Sequence, residues 1–145
     1  MRLVLDAEAV NALLHRDHHS RGQVRNSMRA AIRLQRDVVV PTIVLAELYR
    51  GAGRSAAVDA LLARDADALS LRDTDRSMAR LAGAVLAQAG LGSRYLADAH
   101  AVAAAVEGGG GVILTGDPAD LARLAGPYPT VAVEPLASPG GRGRS

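Results

Sequence analysis

Apolar residues in this chain fall in short unbroken runs, separated by longer stretches where they recur at helical spacing, a pattern that predicts strands leading into helices. Leu3-Val4-Leu5 reads as a first strand, and Ala9, Val10, Leu13 and Leu14 as the apolar face of a helix entered just after Asp6. From Gly22 to Arg36, Val24, Met28 and Ile32 fall on one stripe, with Arg25, Arg29, Arg33 and Arg36 flanking it as a basic face. Val38-Val39-Val40 is a β-branched run stopped by Pro41, after which Thr42 is expected to cap a helix reaching Arg50 and ending near Gly51 and Gly53.

The same alternation continues to the C-terminus. A helix is expected from about Ser55 to Arg64, a short strand from Ala68 to Leu71, and a helix opened by Thr74 or Asp75 that runs to Gln88 and closes at Gly90 and Gly92. Arg94 to Glu107 reads as a buried, Ala-rich helix stopped by the glycines at 108 to 111, and Val112-Ile113-Leu114 as another buried strand. Asp117-Pro118 opens a last helix with an acidic cap and proline at its first position, and Val131-Ala132-Val133 supplies a final strand. The fold class expected is α/β: a three-layer α/β/α sandwich around a mostly parallel sheet of about five strands. Residues 1 to 136 form one domain in this reading, with 137 to 145 a disordered tail.

Composition narrows the chemistry. No apolar run approaches the roughly 20 residues needed to cross a bilayer, so no membrane partner is expected. A carboxylate as early as Asp6 leaves no space for a secretory segment, which points to a cytoplasmic location. Cysteine is absent, excluding disulfides, thiolate metal sites and cysteine nucleophiles. All 17 basic residues are arginine, so Schiff-base chemistry and lysine-dependent phosphate loops are excluded as well. A net charge of +2 and a pI near 9.7 suit a polyanionic partner. The only aromatic residues are Tyr49, Tyr95 and Tyr128, too few for a base-stacking platform, so any RNA would be gripped by its backbone.

In open parallel sheets, functional residues gather beyond the carboxyl ends of the strands. Asp6 directly follows the first strand and Asp117 follows Val112–Leu114, so both are expected at one edge. Glu47 lies on the helix after the second strand and Asp98 in an almost uncharged helix before the fourth, and neither reads as a solvent-facing charge. Four carboxylates in one pocket would repel by roughly 3 kcal/mol per pair at ~5 Å and an effective dielectric of ~20. Mg²⁺ or Mn²⁺, hard cations that prefer oxygen ligands, would neutralise such a cluster and support phosphodiester hydrolysis. Taken singly, each acid has a plainer reading: Asp117 as a helix cap, Asp6 as a turn residue, Glu47 as a helix-surface charge. The joint arrangement carries the weight.

These residues resemble the PIN-domain family, and most closely its VapC-type toxins of bacterial toxin–antitoxin pairs. The resemblance spans residues 1 to about 136. It rests on a first strand ending in Asp6, Pro41-Thr42-Ile43-Val44-Leu45-Ala46-Glu47-Leu48, Leu96-Ala97-Asp98-Ala99, and Leu114-Thr115-Gly116-Asp117, in that order and spacing. It implies an acidic metal-binding set of Asp6, Glu47, Asp98 and Asp117, with Thr115 as a polar helper. It further implies Mg²⁺- or Mn²⁺-dependent cleavage of an RNA substrate, a homodimer, and inhibition by a cognate antitoxin protein. Glu8 is an extra carboxylate that the pattern does not assign, read here as a helix N-terminal charge.

Other features receive plainer readings. The Arg25/Arg29/Arg33/Arg36 stripe is a solvated face, available to RNA or an acidic segment; His15, His18 and His19 are surface polar residues; His100 should point away from Asp98 and serve structure. A haloacid-dehalogenase-like phosphatase or a receiver domain would also place Asp after a first strand, but both need a lysine that is missing. A DNA nuclease would need further elements to hold a duplex. The alternative that remains is a non-catalytic nucleic-acid or protein binding module on the same fold, which predicts no dependence on divalent ions.

Overall fold

The computed structural model describes residues 1–139. Five strands, β1 (Arg2–Leu5), β2 (Asp37–Pro41), β3 (Ser70–Arg72), β4 (Gly111–Thr115) and β5 (Val131–Pro135), form one sheet in the order β3-β2-β1-β4-β5. Every neighbouring pair is parallel. Helices α1 (Ala7–Leu14), α2 (Arg21–Arg33), α3 (Thr42–Ala46), α4 (Ala52–Arg64), α5 (Arg76–Ala89), α6 (Leu96–Glu107) and α7 (Pro118–Ala125) join them, with a 3₁₀ turn at Ser93–Tyr95 before α6.

Alternation along the strands divides the core into two. Leu3 and Leu5 of β1 pack with Val10 and Leu13 of α1, Met28 of α2 and Leu61 of α4, whereas Val4 between them packs with Met78 of α5, Val102 of α6 and Leu124 of α7. Buried on both faces, β1 and β4 can be apolar throughout, which is why their sequences read as continuous runs. The result is the three-layer sandwich expected, with all strands parallel.

The elements depart from the sequence reading where local spacing misleads. On α2 the inward residue after Met28 is Ala31, 6% exposed, while Ile32 is 51% exposed. At about 100° per residue, position 31 returns to within roughly 20° of Val24, whereas position 32 lies about 80° away. Thr42 does not cap α3: Pro41 holds the cap position without a side-chain bond, and Thr42 is the first helical residue. That helix also stops at Ala46 rather than reaching Arg50, because the N–H groups of Glu47 and Leu48 bond three residues back, to Val44 and Leu45, and tighten the last turn. The third strand is shifted to Ser70–Arg72, leaving Leu71 exposed on the sheet edge.

Glycine is needed at the entry to β4. Gly110 and Gly111 have φ of 112° and 158°, and a Cβ at Gly111 would lie 2.0 Å from the Arg2 carbonyl oxygen. That close approach lets β4 pair with β1, which positions the site at the far end of both strands. Beyond β5, Ala137 is held by Gln23 and Ser20 of the second helical segment, and the remainder of the expected tail from residue 140 onward lies outside the described residues.

Candidate metal centre

Strand order reverses between β1 and β4: the chain steps outward from β1 to β3, then returns to place β4 on the other side of β1. The crevice beyond their carboxyl ends is where such sheets build sites. Here it is a cleft of about 490 Å³. Asp6, Glu47, Asp98 and Asp117 all line it, together with Glu8 and Asp120.

Asp6 sits where β1 gives way to α1. One carboxylate oxygen accepts the Ala9 N–H at 2.9 Å, capping α1, and the other accepts the Gly116 N–H at 3.2 Å, tying the end of β4 to the start of α1. Only 7% of the residue is exposed. Burial raises its pKa, against the lowering effect of the Thr115 hydroxyl and the Ala9 and Gly116 N–H groups. Asp6 thus acts as a turn and cap residue and as a wall of the cleft at once.

Asp98 occupies the first turn of α6, half-buried. Its pKa is pushed up to about 7, first by burial and then by the charges of Asp117, Asp6, Asp120 and Glu47. Asp117 stands at the cap position of α7 yet makes no side-chain cap bond; its own N–H donates to Thr115 Oγ1 at 2.8 Å. Burial and the neighbouring Asp120 raise its pKa. Thr115 is fully buried and joins the two strand-end acids by bearing on Asp6 and holding Asp117.

Two features differ from the sequence reading. Glu47 is exposed, because α3 ends before it and leaves it on the turn at the cleft mouth. Asp120, to which the sequence reading gives no part in the site, joins the cluster: Asp98, Asp117 and Asp120 offer carboxylate oxygens that all lie within 4.8 Å of one another. The signal is present in the i, i+3 spacing from Asp117, which brings the third residue of α7 back beside its cap position. Glu8 also reaches the cleft, bonded to Asn11 at 3.3 Å and to His18 at 3.4 Å. His18 Nδ1 accepts the Ser20 N–H, so its Nε2 carries the proton toward Glu8. Gly116 makes room for Glu8, since a Cβ there would meet Glu8 Cγ at 2.7 Å.

A group of carboxylates whose pKa values are raised by one another is an array short of positive charge. Oxygen donors alone, without sulfur or imidazole among Asp98, Asp117 and Asp120, fit a hard divalent cation. His100, two residues beyond Asp98, faces the core, with Nδ1 donating to the Leu96 carbonyl at 2.7 Å.

The family follows from comparison with known proteins. The PIN domain model matches residues 3–127, and the chain belongs to the PIN domain family, whose members are nucleases. Among solved structures the chain is similar to VapBC2 from Rickettsia felis bound to a DNA fragment from their promoter. The TM-score is 0.61 at 18% identity, covering 94% of this chain and 99% of that one. DNA-bound VapBC from Salmonella typhimurium gives a TM-score of 0.60 at 18% identity, covering 93% and 98%. Identity at this level speaks to the fold alone. No curated protein matches the sequence. None of the described helices is long and apolar enough to cross a membrane.

Proposed function

We propose that this protein is a Mg²⁺- or Mn²⁺-dependent endoribonuclease and the toxin of a toxin–antitoxin pair. The observation that carries the catalytic reading is the convergence of six carboxylates, Asp6, Glu8, Glu47, Asp98, Asp117 and Asp120, on one cleft, with the Asp98 pKa raised to about 7. Likeness to two VapBC assemblies supports an antitoxin partner, and the same reading takes the chain as a homodimer.

Asp98, Asp117 and Asp120 would hold the cation, with Asp6 behind them and Glu47 at the open side. When bound, a hard divalent cation lowers the pKa of water and offsets charge building on a phosphoryl group under in-line attack. The chain supplies the geometry. Asp6 is locked by two backbone N–H groups, and Thr115 fixes the backbone of Asp117, so two of the acids are held before any ligand arrives. Glu47, exposed at the mouth, is free to orient the attacking water and accept its proton.

The test is cleavage of a mixed pool of structured RNAs by the purified protein in Mg²⁺, in Mn²⁺ and in chelator, beside Asp98→Asn. Cutting that requires the metal and disappears in the variant is the expected result. Cutting that survives chelation or the substitution removes the site assignment, and no cutting under any condition favours a binding module on the same fold.

A further inference from the structure

We propose that the acidic cleft is the middle of a longer groove that grips a single strand of RNA by its phosphates on both sides of the scissile bond, through Arg94 on one side and Arg50 and Arg54 on the other. The inference rests on the ribonuclease reading above. A second hollow of about 330 Å³ adjoins the cleft, and Ala7, Glu8 and Glu47 line both. Arg94 lines only the acidic cleft, while Arg50 and Arg54 line only the second hollow. Glu8 and Glu47, shared by both, therefore join a hollow that carries Arg94 to one that carries Arg50 and Arg54.

Those arginines are free to take a ligand. Among the described residues, Arg2, Arg25 and Arg72 form ion pairs with carboxylates, whereas Arg50, Arg54 and Arg94 form none, although each sits beside an acid-rich surface. Arg94 belongs to the 3₁₀ turn that opens α6, four residues before Asp98, and its guanidinium lies 5.4 Å from the centre of the Tyr95 ring. Stacking on the ring restrains the side chain before a ligand arrives, and the turn fixes it relative to Asp98.

Electrostatics makes such flanking groups necessary. A phosphodiester entering the cleft meets carboxylates, and even with a cation bound, the neighbouring phosphates gain nothing from the acids. Guanidinium groups outside the cluster supply that attraction and match phosphate oxygens in a bidentate way. With Tyr95 and His15 the only rings lining this path, too few for a base-stacking platform, the grip falls on backbone rather than bases.

The experiment measures binding of a fluorescent unstructured RNA to Asp98→Asn protein in Mg²⁺ across a salt series, with Arg94→Ala or the Arg50→Ala/Arg54→Ala pair added. The expected result is weaker binding and a log–log salt slope shallower by about 0.7 for each phosphate contact removed. In the cleaving protein, the same substitutions should raise KM with little change in kcat. Arg80→Ala, on α5 outside both hollows, is the control and should leave slope and KM unchanged. Unchanged slopes and KM in both arginine variants overturn the groove, as does an equal effect from Arg80→Ala, or retained RNA binding with loss of a protein partner instead. Failure of the unmodified protein to cut any RNA would count against the ribonuclease reading, whereas the slopes judge the groove separately.

Discussion

Replacing Asp98 by Asn should stabilise the metal-free protein while abolishing cleavage, and both effects have one cause. Burial and then the charges of Asp117, Asp6, Asp120 and Glu47 lift the Asp98 carboxyl from 3.8 to about 7. Taken whole, such a shift is worth about 4 kcal/mol. Asp98 is only half-buried, however, and solvent screening brings the figure to about 2 kcal/mol. Between the unfolded value of 3.8 and the folded value of about 7, the folded protein binds more protons than the unfolded chain, so stability falls as pH rises. The penalty is absent below that window and complete above it. The amide of the Asp98→Asn variant is neutral throughout, so the gap between variant and wild type should open with pH. It should be negligible near the acid end and about 2 kcal/mol at roughly pH 8, on the order of 5 °C in Tm for a domain of this size. Urea unfolding in chelator, followed by circular dichroism across the window, measures it. Adding Mg²⁺ should then raise the stability of wild type and not of the variant. A variant less stable than wild type at the alkaline end, or a gap that ignores pH, would refute the reasoning.

Three further outcomes follow from the geometry. Gly116→Ala places a Cβ 2.7 Å from Glu8 Cγ, so Glu8 must leave its place over the cleft; cleavage should fall with about 1 kcal/mol or less of stability lost, and Glu8→Ala should absorb the effect in a double-mutant cycle. Arg25→Ala breaks a sheltered two-pronged pair with Asp65, at 3.0 and 3.2 Å, and should cost about 1 kcal/mol in denaturant unfolding while sparing cleavage. Hydrogen bonds from Arg72, and then from Arg2, hold the Glu107 carboxyl at about 2, below its ordinary 4.5. Its contribution is present above the ordinary value and lost as pH falls toward about 2, so Glu107→Gln should flatten that part of the acid-unfolding curve.

Much of this architecture is legible in the sequence because the strands are buried on both faces. Leu3-Val4-Leu5, Val38-Val39-Val40 and Val112-Ile113-Leu114 cannot be amphipathic helix or solvated strand, so runs, turns and helices together specify a parallel sheet. From there Asp6 and Asp117 follow as edge residues. What escapes the sequence depends on quantities that pattern does not encode. Choosing Ile32 over Ala31 follows hydrophobicity, whereas the structure follows the helical angle, at the expense of exposing an isoleucine. Pattern alone places Glu47 inside a helix that ends one residue earlier, and its exposure depends on that single turn. Asp120 stays hidden because aspartate three residues into a helix is ordinary dipole chemistry, and only the arrival of Asp98 from α6 gives it a second use.

Three aspartates standing just before helices show how environment separates roles that sequence leaves alike. Asp75 caps α5 through the Met78 N–H at 2.8 Å, is solvated, and has its pKa lowered, first by that bond. Asp6 makes the equivalent bond to Ala9, yet its pKa is raised, because burial outweighs the bonds it receives. Asp117 does not cap at all. Pro118 opens α7 at its first position, and Thr115 rather than a helical group engages the Asp117 backbone. The Asp117 carboxylate, making no cap bond, faces Asp98 and Asp120. The directions of the shifts follow the same division, downward for the solvated Asp75, bonded to the Met78 N–H and to Arg72, and upward for Asp6 and Asp117, where burial comes first and neighbouring acids add to it.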